Sequence, residues 1–237
     1  MTQPNSEPAN NTFNISNSTL TNTVGSGSII YNESTNAASQ VEAEQPKQVI
    51  LFLAANPVTT QPLRLDEEVR EIEAGLRRSK HRDHFKLEQR WAVQPRDLQR
   101  AMLDHTPQIV HFSGHGENEA GLILENVGGQ PQLVSTAALS ALFELFTDSL
   151  TCVILNACYS EQQACVIAQY IPYVIGMNQA IGDRAAIEFA VGFYDALGAG
   201  ESVDRAYKMG LVAIRLAGIP EHLTPTLLKQ SSPPLSL

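Results

Sequence analysis

A histidine and a cysteine stand just beyond two short apolar runs. Pro107-Gln108-Ile109-Val110-His111-Phe112 leads into Ser113-Gly114-His115-Gly116, and Thr151-Cys152-Val153-Ile154-Leu155 leads into Asn156-Ala157-Cys158-Tyr159-Ser160. An imidazole near a thiol can take its proton, and the thiolate is the nucleophile. Both runs are β-branched and bounded by turn formers, the signature of inner strands of a parallel sheet. Ligands of such sheets collect outside the carboxyl ends of the strands. The pattern therefore predicts that His115 and Cys158 meet at one mouth of a sheet.

The other candidates for chemistry fit less well. Cys152, Cys158 and Cys165 are the three cysteines, an odd number confined to one strand-turn-helix stretch, which is no disulfide framework. Cys152 lies inside its apolar run and no Cys-x-x-Cys pair exists, so neither a metal nor any other cofactor is expected. His111 and His115 have the spacing of a helical zinc pair, but Gly114 and Gly116 demand a turn there, and His111 reads as a core histidine. Gln163-Ala164-Cys165 copies the opening of a known local protease signature. Cys165 nonetheless sits well inside a helical register with Gln162 and Ala168, away from the strand end that Cys158 occupies. A phosphate- or flavin-binding sheet would need a glycine-rich loop after the first strand, and Ala54-Ala55-Asn56-Pro57 is not one.

The elements that must carry these residues alternate between strands and helices. Gln48 to Ala55 is a buried strand; Asp66 to Arg78 is an amphipathic helix with Val69, Ile72 and Leu76 on its apolar face and its charge in water. Asp66, Glu67 and Glu68 suit the first turn of that helix by its dipole, without functional significance. Phe85 to Trp91 alternates like an exposed strand, and a helix follows from Gln94 or Pro95 to Leu103. Residues 121–125 and 132–134 form a hairpin around Gly128-Gly129, and Ser135 caps the next helix. Beyond Cys158 come a helix from Ser160 to Tyr170, a strand over 173–177, and helices over 183–197 and 202–216. The expected fold is α/β, a doubly wound, mostly parallel sheet flanked by helices.

The chain has 237 residues and a net charge of −9, with 17% charged and 43% apolar residues, which fits one sizeable domain plus an appendage and offers no nucleic-acid footprint. It shows no membrane-length apolar run and no signal-peptide pattern at its start, so a cytoplasmic protein without membrane partners is expected. Residues 1–46 are rich in Asn, Ser and Thr and poor in charge. They read either as a disordered leader or as β-prone, with Phe13-Asn14-Ile15-Ser16 and Thr19-Leu20-Thr21 alternating and residues 24–31 continuing after a glycine turn. Uncharged stretches of this kind can stack with copies of themselves. Residues 11–33 are thus a candidate for self-assembly or for pairing with an upstream receptor. After Pro220 the chain reads as a loose tail, which gives three segments: 1–46, 47–219 and 220–237.

The strand-end pattern resembles the caspase-like cysteine proteases, and most closely their bacterial CHAT branch, in which a His-Gly after one strand and a Cys after the next form a dyad. The resemblance runs from Gln48 to Ala217. It includes Gln94-Pro95 with Leu98, residues 109–116, Gly121-Leu122, residues 153–158, Ile175-Gly176-Met177, Asp183 with Ala185-Ala186 and Phe189, Phe193-Tyr194, and Gly200 with Ser202. It implies a caspase-like fold and a cysteine endopeptidase that cleaves a protein substrate as a regulated effector of bacterial signalling or defence. By the family's mechanism His115 assists Cys158, and the backbone N–H groups of Gly116 and Cys158 hold the oxyanion. Asp183 matches an acidic position that faces the P1 side chain in related members; it also suits a helix cap. Glu161, an acid in another first turn, is a second candidate for substrate binding. The competing reading is a catalytically silent caspase-fold interaction module recruited through its N-terminal segment. The short N-terminal motifs loosely resemble amyloid-type signalling motifs.

Overall fold

The computed structural model describes residues 11–15, 18–22 and 47–230. The chain divides into two compact units, residues 1–44 and 45–237. In the first, β1 (Asn11–Ile15) and β2 (Ser18–Asn22) pair antiparallel as a hairpin with Phe13 opposite Leu20. The expected continuation over residues 24–31 lies outside the described residues.

The second unit is built on a six-stranded sheet. Its chain order is β3 (Gln48–Ala54), α1 (Leu65–Arg78), β4 (Phe85–Arg90), α2 (Pro95–His105) and β5 (Ile109–Ser113). A small three-stranded antiparallel sheet follows, made of β6 (His115–Glu117), β7 (Gly121–Glu125) and β8 (Pro131–Ser135). The chain then continues with α3 (Thr136–Glu144), β9 (Cys152–Asn156), α4 (Glu161–Ile167), β10 (Tyr173–Met177), α5 (Asp183–Gly198), α6 (Val203–Leu216) and β11 (Pro225–Lys229). The large sheet has the order β11-β10-β9-β5-β3-β4, and every pairing in it is parallel except that of β11 with β10.

Successive side chains of a strand face opposite ways, and the two cores follow that alternation. Leu51, Leu53, Val110, Phe112, Val153 and Leu155 pack with Leu98 and Met102 of α2, Phe143 of α3 and Ile167 of α4. Ile50, Phe52, Ile109, Ile154 and Ile175 pack on the other face with Ile72 of α1, Phe189 and Phe193 of α5 and Ile214 of α6. The inner strands are buried on both faces, and so they read as continuous apolar runs. β4 is an edge strand and alternates instead.

Three expectations need correction. A turn was expected around His115, between Gly114 and Gly116, but His115 opens β6, which pairs with β7. The turn into β7 is made by Gly121 at φ 146°, a backbone region that suits glycine. The segment after Pro220 was expected to be loose, yet Pro225–Lys229 forms the antiparallel edge strand β11; Leu228 packs on the first core and Leu227 on the second. Proline is tolerated at the start of an edge strand, so composition hid a strand. The third correction concerns Glu68. Read as a solvated first-turn acid, it is only 2% exposed. Its place one turn before Ile72 puts it on the buried face of α1.

Candidate active site

β5 and β9 are neighbours in register, with Ser113 opposite Asn156. Gly114 N–H donates to the Asn156 carbonyl at 3.3 Å. Two residues beyond each member of that pair stand His115 and Cys158. Their chain segments touch directly, because a Cβ on Gly116 would collide with the Cys158 carbonyl oxygen. Glycine at 116 is a requirement of this close approach. Tyr159 adopts φ 55°, so the chain turns sharply as it leaves Cys158 for α4.

Two further loops complete the neighbourhood. His115 Nε2 lies 3.0 Å from the Gln61 carbonyl, in the connection between β3 and α1. A carbonyl only accepts, so Nε2 carries the proton and Nδ1 keeps its lone pair. Half-burial pushes the His115 pKa below its usual value, and the bond to Gln61 opposes that shift only in part. The ring is therefore held as neutral imidazole, the form that accepts a proton. The Cys158 Sγ lies 3.8 Å from the Ile181 carbonyl, and Tyr159 N–H donates to the Gln179 carbonyl at 3.2 Å, so the loop between β10 and α5 also closes on the cysteine. Gln61 was not legible in advance, because its contribution is a main-chain oxygen that any residue type supplies.

The other two thiols stand in different surroundings. Cys152 is fully buried, and burial pushes its pKa up to about 12. Cys165 is exposed on α4; desolvation, and then the neighbouring Glu161 carboxylate, raise its pKa. A raised pKa reduces the thiolate fraction at neutral pH.

Asp183 is the first residue of α5, with Gly182 as the cap. Its carboxylate accepts from the Arg64 main-chain N–H at 3.1 Å and from Arg64 Nε at 2.7 Å. Glu161 lines a cleft of about 380 Å³ together with Tyr159, Gln162, Met177, Asn178 and Asn118. It has no ion-pair partner among the described residues. A second cleft, of about 470 Å³, contains His81 and His84 but opens at the opposite, amino-terminal end of the strands, beside Gln48, Ile109 and Thr151. Among the described residues no cluster of three potential ligands could hold a metal ion.

A mostly parallel sheet of this order, with the two strand-end segments in contact, defines a caspase-like α/β fold. Solved structures agree. A secreted C11 cysteine protease from Bacteroides thetaiotaomicron, bound to an irreversible peptide inhibitor, superposes with a TM-score of 0.57 at 14% identity, over 77% of this chain and 66% of that one. The Arg-specific cysteine proteinase gingipain R gives 0.56 at 12% identity, over 77% and 46%. The model of the CHAT domain matches residues 10–214, and the chain belongs to that family. Among curated relatives, a probable protease from Gillisia limnaea is 26% identical over 160 residues, which is 67% of this chain and 28% of that protein. A Roc-COR-CHAT protease from an unknown prokaryotic organism is 24% identical over 194 residues, 76% and 18% of the respective lengths. This chain thus spans under a third of either relative.

Proposed function

We propose that residues 47–219 form a cysteine endopeptidase domain that cleaves a protein substrate, with Cys158 as nucleophile and His115 as its base. The observation that carries this reading is the contact between the Gly116 and Cys158 backbones at the carboxyl ends of β5 and β9, within a caspase-like fold. In the proposed reaction His115 Nδ1 takes the Cys158 thiol proton as Sγ attacks the scissile carbonyl carbon. The main-chain N–H groups of Gly116 and Cys158 stabilise the resulting oxyanion. Collapse to the thioester expels the amine, which His115 protonates, and water then hydrolyses the thioester by the reverse sequence. Gln61 serves by holding the imidazole in the tautomer this requires.

Because His115 titrates below its usual range, the base form persists as the pH falls and is lost only when the pH passes the lowered value. The acid limb of kcat/KM should therefore have its midpoint below about 6.5, the ordinary imidazole value. A pH-rate profile with that midpoint above 6.5 would remove the neutral-base assignment.

Substrate selection is assigned to the acids near Cys158, and the class favoured is a basic P1 residue, by charge pairing. Asp183 already holds Arg64, whereas Glu161 faces the cleft beside Tyr159 without an ion-pair partner among the described residues. Glu161 accordingly carries the larger share. The test is a panel of fluorogenic peptide amides that differ at P1. Arg and Lys should lead, and Glu161→Gln should lower kcat/KM for them by roughly 10-fold or more, equivalent to about 1.4 kcal/mol of lost charge pairing. Asp183→Asn should cost less. A profile led by apolar P1 residues would refute the acid-based selection.

No helix among the described residues is long and apolar enough to cross a membrane. A cytoplasmic effector role, in signalling or defence, and control through residues 11–33 complete the proposal.

A further inference from the structure

Glu68 is a carboxylate in the apolar interior, 2% exposed, in the first turn of α1. Its Oε2 accepts from the Ser113 hydroxyl at 2.5 Å, and its Oε1 accepts from Asn156 Nδ2 at 2.7 Å. His111 Nε2 lies 3.1 Å from Oε1, off the direction of a straight hydrogen bond, and His111 Nδ1 faces the Tyr194 hydroxyl at 3.2 Å. With Nε2 against a carboxylate, that nitrogen carries the proton and Nδ1 accepts from Tyr194.

The two residues held most closely are register partners at the carboxyl ends of β5 and β9. Each is two positions before a residue of the proposed dyad. We propose that Glu68 is a positioning residue: from α1 its buried carboxylate ties Ser113 to Asn156 and thereby sets where His115 and Cys158 stand. This rests on the peptidase reading above.

Stability alone is a poor reason for this group. Burying a carboxylate is costly, and apolar replacements of buried charged groups are often neutral or stabilising. Leucine would suit that face of α1, between Leu65 and Ile72, both buried. What leucine lacks is an acceptor for two donors that come from different strands. Hydrogen bonds accepted by one buried carboxylate from two neighbouring strands restrain the groups they join, and a reacting pair needs its geometry fixed by surrounding contacts. The same short segment reaches the other walls of the site as well, through Gln61 to His115 and Arg64 to Asp183.

The test compares the full chain with Glu68→Gln, Ser113→Ala and Ile72→Ala. The last opens a cavity one turn along the same helix and removes no hydrogen-bonding member of the network. Three quantities are measured: kcat and KM on an arginyl fluorogenic peptide, the rate at which a peptidyl chloromethyl ketone captures Cys158, and the unfolding midpoint. Glu68→Gln should lower kcat by on the order of 100-fold, the size expected for a small misplacement of reacting groups, and should slow capture in parallel. KM should stay within about twofold. Ile72→Ala should lower the unfolding midpoint at least as far, yet keep kcat within about twofold of the parent. Losses from Glu68→Gln and Ser113→Ala should combine to less than their product, as for partners in one network. A kcat and capture rate for Glu68→Gln no lower than those of Ile72→Ala would overturn the proposal. Should Glu68→Gln not fold, Ser113→Ala is judged against Ile72→Ala by the same criterion. Absence of both cleavage and capture in the parent chain would instead overturn the peptidase reading, and cleavage retained in Cys158→Ala would overturn the choice of nucleophile.

Discussion

Cys158→Ala is expected to abolish peptide cleavage, and His115→Ala to lower kcat by several orders of magnitude, because nucleophile and base act as a unit and the loss of either removes the covalent route. Cys165→Ala should leave kcat/KM close to the parent value. The contrast follows from where the thiols stand. Cys158 follows the end of β9, its backbone against Gly116 and its Sγ near the Ile181 carbonyl. Cys165 lies on α4, and desolvation with the nearby Glu161 raises its pKa. Exposure alone would mislead here, since Cys165 is the exposed thiol and Cys158 the half-buried one. A general alkylating reagent therefore reports on both, and the decisive measurement is peptide turnover in the Cys165→Ala background with and without the Cys158 substitution. Activity that survives Cys158→Ala but not Cys165→Ala would reverse the assignment. The double variant Cys158→Ala with His115→Ala should be no slower than Cys158→Ala alone, since a base without a nucleophile has nothing to activate.

The strands and helices were legible because their periodicities are clean. Ile109 to Ser113 and Cys152 to Asn156 are buried throughout, and such strands announce themselves as unbroken β-branched runs. Ser135 accepts from Ala138 N–H and Ser202 from Arg205 N–H, the capping contacts their residue types favour. What escaped depends on contacts distant in sequence. Glu68 occupies an apolar position of its helix, but a carboxylate there is read as solvated unless its donors, from Ser113 and Asn156, are already known. The periodicity carried the signal and the residue type concealed it. His111 shows the same logic in reverse: its burial was legible from the strand, and its neighbours Glu68 and Tyr194 were not. Asp183 illustrates a third limit. An acid at a helix start satisfies both a capping and a substrate-binding reading, and only the position of Arg64, which lies 119 residues away in sequence, shows what its carboxylate touches.

Control by the N-terminal segment is the last expectation, and it has a large predicted effect. Residues 11–33 are nearly uncharged and rich in Asn, Ser and Thr, with Phe13, Ile15, Leu20, Val24, Ile29, Ile30 and Tyr31 as spaced apolar positions. The first part of this segment is the β1–β2 hairpin, with Asn11 opposite Asn22 and Phe13 opposite Leu20, while residues 24–33 lie outside the described residues. A two-stranded hairpin alone is marginal in water. An open strand edge is a template for further strands, and stacking copies of the segment in register would pair such edges and align identical side chains. Residues 34–46 would then tether the peptidase domain, and tethering through a short flexible linker raises local concentration toward the millimolar range. The full chain is accordingly expected to cleave poorly as a monomer and to gain activity on assembly, whereas a chain beginning at Gln48 folds but shows no such gain. Leu20→Pro removes a ladder donor from β2, and Ile29→Lys with Ile30→Lys sets like charges against one another in every layer of a stack. Both variants should stay monomeric and keep only the basal rate. The measurement is turnover against protein concentration, read together with sedimentation. Rates strictly proportional to concentration, with an unchanged sedimentation profile in parent and variants alike, would reduce the segment to a passive leader.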